Sequence, residues 1–262
     1  MKTRFLPLFL PVGAFTLAMS LSPVLLGQTE IYRETFGNSD TQNQTLKDIS
    51  SLWKFYGSFP GKAVVDNTET VACVPFQPGN PTDLPNLGTG YDAQNEERGF
   101  FYSGPSNADL LLFVDLPEAS DTSVVSKIEP GKHEAITFRW MQNNATSDGA
   151  ADQKTTRFAV KVDGRWYVTD KTFFVPNATF DGNWAGFEEQ SFTYTPSASA
   201  WRELLNTDVA VTSMEVGSNP EKDLTGDITG FGIFIPGSAD GTTTSKPTGN
   251  VVIDTFSVSV SP

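Results

Sequence analysis

The chain has 262 residues and a formal net charge of −13, from 18 basic and 31 acidic residues. So acidic a protein repels phosphate backbones and anionic lipids, which argues against nucleic acid and membrane surfaces as partners. Cys73 is the single cysteine, so the chain has no internal disulfide and must be held together by its core.

The N-terminal segment has the pattern of a secretory signal peptide. Lys2 and Arg4 precede an apolar run over residues 5–26, which contains two early prolines. A membrane-spanning helix needs about 20 consecutive apolar residues. Because this run is interrupted and no cluster of basic residues follows it, we predict a signal peptide over residues 1–27. An uncleaved anchor helix is the weaker alternative.

A signal peptide implies an exported protein, located outside the cell, at the cell surface or in the periplasm. Cleavage after Ser20 and cleavage near Gly27 both fit the sequence. The remaining residues, 28–262, have the length of one β-sandwich, so we predict a single domain with no membrane span.

Short strand patterns fill this remaining part of the chain. They are rich in Val, Ile, Phe, Tyr and Thr and are bounded by Gly, Pro, Asn or Asp, as strands commonly are. They lie at residues 31–36, 109–114, 135–140, 156–162, 165–170, 190–195, 209–216, 228–235 and 251–260. Runs at this spacing are typical of a sandwich or barrel, and we predict an all-β, two-sheet antiparallel β-sandwich.

The segment from Cys73 to Asn107 has a different composition. It contains five prolines and five glycines, which predict a long irregular connection rather than regular strands. Binding surfaces are often built on such connections.

Catalytic motifs are scarce. His133 is the only histidine and lies in a turn before a predicted strand, so we expect it to be an exposed or edge residue. No HExxH, GxSxG or CxxC motif occurs, which argues against zinc and serine-hydrolase chemistry. Glu188 and Glu189 are adjacent and would point to opposite sides of a strand, unlike the paired carboxylates of glycosidases.

Two local elements are predicted in the second half of the chain. Asp163-Gly164 joins two alternating runs and predicts a type I′ turn, hence an antiparallel hairpin. Residues 199–206 place Trp201 and Leu204 three positions apart, which predicts a short helix lying across a sheet.

The last predicted strand alternates along its length. If the alternation is unbroken, Asp254 lies on the same face as Phe256 and Val258. A carboxylate on an apolar face is unfavourable unless it accepts hydrogen bonds or binds a cation.

Aromatic residues are the main candidates for ligand binding. Phe residues at alternating positions are expected in the core, and Trp140 and Trp166, which lie within strands, are expected to be structural. A flat ring with a polar edge can stack on a sugar through its C–H bonds. The candidates for such stacking are Trp53, Tyr56, Tyr91, Tyr102 and Trp184.

Three segments near the chain ends resemble a known family. They are Tyr-Arg-Glu-Thr-Phe-Gly at 32–37, Asp-Ile-Thr-Gly-Phe-Gly-Ile-Phe-Ile at 227–235 and Gly-Asn-Val-Val-Ile-Asp-Thr-Phe at 249–256. Together they resemble the first and last strands of carbohydrate-binding modules with a galactose-binding-like or laminin-G-like jelly roll. The resemblance implies a jelly-roll sandwich, galactose-binding-like or concanavalin-like, that binds a poly- or oligosaccharide without catalysis.

The same resemblance implies a structural calcium ion. Many such modules bind calcium between a Glu of the first strand and an Asp of the last, which here are Glu34 and Asp254. Backbone carbonyls would complete the oxygen shell that calcium prefers. The alternative is that Asp254 only accepts hydrogen bonds from neighbouring backbone or hydroxyl groups.

Three functions therefore remain open. The favoured one is a secreted, lectin-like carbohydrate-binding protein. The second is a polysaccharide lyase or glycoside hydrolase whose catalytic groups come together only in the folded protein. The third is a structural cell-surface or matrix protein. A sandwich fold alone does not decide among them.

Overall fold

The computed structural model describes the chain in separate ranges. They are residues 27–35, 52–59, 62–66, 86–91, 98–103, 109–116, 125–146, 155–175, 178–179, 188–205, 207, 214–236 and 250–262. The predicted signal peptide, apart from Gly27, and Cys73 lie outside these ranges. Within them, no helix has the length and apolar character needed to cross a membrane.

The described residues form strands and two short 3-10 turns, at Pro130–Lys132 and Ala198–Ala200. The strands are β1 (Thr29–Glu34), β2 (Trp53–Phe59), β3 (Lys62–Asp66), β4 (Asn86–Tyr91), β5 (Arg98–Ser103), β6 (Asp109–Asp115), β7 (Ala135–Asn143), β8 (Ala145–Thr146), β9 (Arg157–Val162), β10 (Arg165–Thr169), β11 (Ala178–Thr179), β12 (Glu188–Thr193), β13 (Trp201–Leu205), β14 (Glu215–Val216), β15 (Ile228–Ile235) and β16 (Asn250–Ser261).

Two antiparallel sheets pack face to face as a sandwich. Sheet A has the order β12-β7-β16-β5-β4, with β1 also paired to β16. Sheet B has the order β14-β13-β10-β9-β15-β6-β2-β3. A separate two-stranded parallel pair joins β8 and β11. The predicted all-β sandwich is confirmed.

Aromatic rings fill the space between the two sheets. Phe256 of sheet A lies at the centre, with its ring 5.3 Å from Phe231 and nearly parallel to it, at 4°. Its ring centroid also lies 5.1 Å from that of Trp53. Edge-to-face and offset ring pairs of this kind add to the stability gained from burial. Trp140 lies in the same inter-sheet core, which confirms its structural role.

Sheet B is buried on both faces. A second apolar cluster lies on the side away from sheet A and contains Leu111, Phe113, Ala159, Trp166, Val168, Leu204, Met214 and Phe234. Trp166 is therefore also structural. Neighbouring residues of a strand point to opposite faces, so β6 and β15 are apolar at nearly every position.

The predicted hairpin is confirmed. Val162 pairs with Arg165 across the turn, and Asp163 and Gly164 have φ angles of 50° and 78°. Both central residues of a type I′ turn need positive φ. The two strands it joins, β9 and β10, occupy the middle of sheet B.

The predicted helix over residues 199–206 is wrong, because residues 201–205 form strand β13. Trp201 lies in the inter-sheet core and Leu204 in the second apolar cluster. They therefore point to opposite faces of sheet B. A three-residue spacing of apolar side chains fits one face of a helix, but it equally fits a strand buried on both faces.

The prediction of a long irregular connection over residues 73–107 is also wrong in part. It contains strands β4 and β5, which pair with each other from Asn86↔Ser103 to Tyr91↔Arg98. Strand β5 then joins sheet A by pairing with β16. Glycine weakens strand propensity, but pairing with neighbouring strands overrides this weak preference.

Candidate functional site

Strand β16 changes partner in its middle, and Asp254 lies at that point. On one edge β16 pairs with β5 over residues 250–253 and then with β1 over residues 256–260. Its register with β7, on the other edge, shifts between Asp254 and Ser257, and Thr255 has a φ of 40°. Positive φ is uncommon for a β-branched residue, so this β-bulge is a specific feature of the strand.

The bulge places Asp254 on a different face from the one predicted. Val251 and Ile253 before it, and Phe256 after it, belong to the inter-sheet core. Asp254 therefore points to the outer face of sheet A, where only 7% of it is exposed. The prediction that Asp254 shares the face of Phe256 is wrong, because the extra residue of a bulge shifts the alternation by one position.

The two predicted calcium ligands accept hydrogen bonds from their own neighbours. Oδ1 of Asp254 accepts from the Thr255 N–H at 2.6 Å and from the Thr255 hydroxyl at 3.3 Å. Glu34 lies opposite Phe256 at the end of β1, and its Oε1 accepts from the Thr35 N–H at 3.0 Å. Among the described residues, no three His, Cys, Asp or Glu side chains are grouped so that they could bind a metal ion. Calcium binding stays a prediction.

A second buried oxygen lies close to Asp254. Met141 pairs with Asp254 and Asn143 is two residues further along β7, so Asn143 and Asp254 are diagonal neighbours, about 7–8 Å apart at their Cα atoms by sheet geometry. Asn143 is 2% exposed, and its Oδ1 accepts no hydrogen bond from the described part of the chain. A carbonyl oxygen of this kind is a ligand that calcium accepts.

Trp53 was predicted to stack on a ligand, and the structure contradicts this. It is 1% exposed, and its Nε1–H donates a 2.6 Å hydrogen bond to the Tyr32 hydroxyl. Burial, and secondarily the charge of Glu34, raise the pKa of Tyr32 far above its usual value. Trp53 is a core residue whose polar edge bonds within the protein, as buried tryptophans usually do.

The other predicted stacking residues are placed only in part. Tyr56 lies in β2 opposite Leu111, and Tyr102 lies in β5 opposite Val251. Tyr91 ends β4. The side chains of these three tyrosines and all of Trp184 lie outside the part of the structure that is described, so their binding role stays a prediction.

A cleft lies at the opposite end of β7 from Asp254. It has a volume of about 260 Å³ and lies beside the 3-10 turn, the start of β7 and the residues that follow β12. Its lining consists of Pro130, Gly131, His133, Glu134, Ala135, Ile136, Tyr194, Pro196 and Thr225. The cleft, which we call the His133 cleft, therefore combines prolines and a tyrosine ring with a carboxylate, an imidazole and a hydroxyl group.

The hydroxyl of Tyr194, the tyrosine of the His133 cleft, is hydrogen-bonded within the protein. The Tyr194 hydroxyl donates to the Leu224 carbonyl oxygen. Burial, followed by the charge of Asp163, raises its pKa to about 12. It therefore stays protonated at neutral pH and keeps this hydrogen bond. The remaining polar groups lie nearer to solvent, since Glu134 and Thr225 are exposed and His133 is half-buried.

The charges beside the His133 cleft are paired with one another. Lys127 Nζ lies 2.8 Å from Glu129 and 2.7 Å from Asp227. Lys132 also pairs with Glu129. Hydrogen bonds from the two lysines lower the pKa of Glu129 to about 2. The two ammonium groups closest in sequence to the cleft are thus engaged in ion pairs.

None of the five aromatic residues that the sequence offers for ligand binding is among the described lining residues of the His133 cleft. His133 was expected to be an exposed or edge residue, and the structure places it half-buried in the cleft wall. Glu134, Tyr194 and Thr225 carried no motif. They come from segments distant in the sequence, so no local pattern could have grouped them.

The sequence matches no protein-family model and no curated protein sequence. Among solved structures, the chain is similar to an apo-form cyclase from Fischerella sp., with 12% identity and a TM-score of 0.44, covering 90% of this chain and 98% of that one. It is also similar to an exo-β-agarase, with 9% identity and a TM-score of 0.38, covering 70% of this chain and 24% of that one. A third similar structure is the CBM22-2 xylan-binding domain of Paenibacillus barcinonensis Xyn10C, with 9% identity and a TM-score of 0.34, covering 88% and 99%. Similarity at this level does not extend to function, which has to be argued from the residues.

Proposed function

We propose that this protein is a secreted, non-catalytic saccharide-binding β-sandwich, lectin-like in function, and that the His133 cleft is its binding site. The observation that supports this most directly is the composition of the cleft wall. Pro130, Pro196 and the Tyr194 ring offer carbon surface, while His133 and Glu134 offer hydrogen-bonding groups.

Sugars have the matching chemistry. A pyranose ring has faces made of C–H groups and a rim of hydroxyl groups that both donate and accept hydrogen bonds. Binding sites for small molecules are generally apolar with a few convergent polar groups that fix orientation. A carboxylate such as that of Glu134 accepts from hydroxyl groups, and hydrogen bonds to a charged group are stronger than neutral ones.

Hydrolysis is the second candidate, because His133 and Glu134 line the same cleft. Glycosidases use two carboxylates about 5–10 Å apart, one as acid and one as base or nucleophile. Among the described lining residues, Glu134 is the one carboxylate. This composition favours binding over hydrolysis.

The test is binding of the mature protein to a panel of soluble and insoluble polysaccharides, with assay of the same mixtures for released reducing or unsaturated ends. Retention on at least one polysaccharide without product supports the proposal. Product formation would establish an enzyme instead. If the protein is not retained and no product forms, the remaining function is that of a structural cell-surface or matrix protein.

We also propose that Asp254 binds a structural calcium ion, with Asn143 as a further ligand. The support is a buried carboxylate in a β-bulge, with a buried amide oxygen diagonal to it that accepts no hydrogen bond from the described residues. Hard oxygen ligands of this type suit calcium. At a calcium concentration 100 times the Kd, binding would add about 2.7 kcal/mol to the free energy of unfolding, or about 5–10 °C in Tm.

The calcium proposal is tested by measuring Tm with calcium and with chelator. The wild-type protein should melt about 5–10 °C higher with calcium, and Asp254→Asn should abolish most of this difference. Glu189→Gln, an exposed carboxylate of sheet A, is the matched control and should keep it. Equal Tm values for the wild-type protein under both conditions would refute calcium binding.

A further inference from the structure

We infer that the His133 cleft takes a single uncharged sugar unit, the terminal unit of a saccharide chain, rather than an internal stretch of a polymer. This inference rests on the proposed function, and it adds the part of the saccharide that is recognised. It follows from how the walls of the cleft are joined, how large the cleft is and which charges line it.

Within the described part of the chain, three segments form the walls of the His133 cleft. The first is residues 130–136, which contain the 3-10 turn and the start of β7. The second is residues 194–196, which follow β12. The third is Thr225, which lies shortly before β15.

Backbone hydrogen bonds join each wall to the next. Ile128 and Ile228, next to the first and third walls, exchange two backbone hydrogen bonds of 2.9 Å. The Leu224 N–H donates to the Pro196 carbonyl at 2.7 Å, and the Tyr194 N–H donates to the Ile136 carbonyl at 2.9 Å. Each of the three described walls is therefore joined to the other two. A polymer passing through needs a groove open at two ends, whereas walls joined in this way favour entry of a chain end.

Further contacts hold the walls in place. Lys127 Nζ donates to Asp227 at 2.7 Å across the first and third walls. Oδ1 of Asp223 accepts from the Ala198 N–H at 2.9 Å across the second and third. The prolines of the lining have a fixed φ. A site built in this way is largely formed before binding, which reduces the entropy lost when a ligand is ordered.

The size of the cleft fits one sugar ring. Pockets that enclose drug-sized ligands measure roughly 300–1,000 Å³, and this one measures about 260 Å³. At about 30 Å³ for each water-sized group, it has room for roughly nine such groups. One pyranose unit fills this space with part of its rim exposed, and a second unit would lie outside the walls.

The charges of the cleft favour a neutral sugar. Glu134 contributes a negative charge, and the described lining residues include no lysine or arginine. Lys127 and Lys132, the nearest basic residues in sequence, are paired with Glu129. A uronic acid would therefore meet a carboxylate, with no lysine or arginine among the described lining residues to balance it.

The lining residues then have separate roles. The Tyr194 ring packs against Trp201 at a centroid distance of 5.7 Å, and its hydroxyl is engaged with Leu224, so it offers the ligand carbon surface. Glu134 accepts hydrogen bonds from sugar hydroxyl groups. His133 and Thr225 donate or accept at the rim of the ring.

The experiment measures affinity by titration calorimetry against oligosaccharides of one to six units, taken from a polysaccharide that the protein retains. The methyl glycoside of the same sugar and that of its uronic acid are included. The variants are Glu134→Gln and His133→Ala, with Glu221→Gln as the control. Glu221 is an exposed carboxylate outside the cleft lining.

A terminal-unit site predicts a Kd that changes little from one unit to six, no binding of the uronate glycoside, and a loss of about tenfold or more in Glu134→Gln. Glu221→Gln should bind as the wild-type protein does. Thermal melting of each variant confirms that it is folded, as expected for substitutions at solvent-accessible positions.

Two results would overturn the inference while leaving saccharide binding by this protein standing. The first is an affinity that rises with each added unit, which indicates a groove. The second is saccharide binding that neither Glu134→Gln nor His133→Ala weakens, which places the site elsewhere. Failure of every saccharide to bind would instead refute the proposed function itself.

Discussion

Trp53→Phe should destabilise the protein without weakening saccharide binding. The substitution removes the indole N–H that bonds to Tyr32 at 2.6 Å, and part of a ring that is 1% exposed. The lost hydrogen bond contributes about 1 kcal/mol. The cavity left by the smaller ring costs about 1–2 kcal/mol more. We expect the free energy of unfolding to fall by about 2–3 kcal/mol.

A double-mutant cycle isolates the hydrogen bond from the cavity. Tyr32→Phe alone removes the acceptor of the 2.6 Å hydrogen bond from the buried indole N–H of Trp53, at a cost of about 1–3 kcal/mol. The double variant contains neither group of this hydrogen bond, so it should lose about 1 kcal/mol less than the sum of the two single variants. Urea denaturation followed by circular dichroism measures all four proteins. Additive single effects, or a Trp53→Phe protein as stable as wild type, would refute the buried pair.

Three further predictions concern separate parts of the fold. Gly232→Ala should lower the free energy of unfolding by about 3 kcal/mol or more, or prevent folding, because an added Cβ would clash with the Leu112 carbonyl oxygen. A soluble variant that is as stable as wild type in urea denaturation would contradict this. Gly164→Ala should cost about 1 kcal/mol, because Gly164 has a φ of 78°, and an unchanged denaturation midpoint would count against the hairpin geometry. The Glu129 carboxyl should titrate near pH 2 by NMR, and Lys127→Met should raise that midpoint. Because folding lowers the pKa of Glu129, its pairing with the lysines stabilises the protein above about pH 4.5, and this stabilisation is lost as the pH falls towards 2. A Glu129 titration midpoint of about 4 or higher would exclude the ion pairs.

The elements that the sequence predicted correctly have local signals. The bounds of β15 match the predicted run at 228–235, because apolar residues continue through it between turn residues. The hairpin at Asp163-Gly164 is equally local, since the turn type requires positive φ at two adjacent positions. Strand patterns and short turns depend on neighbours in the chain, so the sequence alone can specify them.

The errors arise where a distant strand decides the structure. Trp201 and Leu204 have a spacing that fits a helix, and only the two buried faces of sheet B make it a strand. The face of Asp254 depends on a bulge placed where β16 changes partner from β5 to β1. The local sequence indicates neither the second buried face of sheet B nor the change of partner of β16.

The His133 cleft could not be predicted for a related reason. Its walls are brought together by hydrogen bonds such as those from Leu224 to Pro196 and from Tyr194 to Ile136. The partners lie in different elements, and their residue types match no motif. Trp53, in contrast, is a candidate from its residue type alone, and nothing in the sequence indicates that the Tyr32 hydroxyl accepts a hydrogen bond from its indole N–H inside the core.

The most direct test of saccharide binding at the His133 cleft is NMR mapping of amide signals on addition of a saccharide that the protein retains. The structure predicts that the largest shifts occur in the amide signals of Gly131, Glu134, Ala135 and Thr225, because these residues line the cleft. Shifts that cluster elsewhere in the protein, with these amides unchanged, would contradict the proposed site.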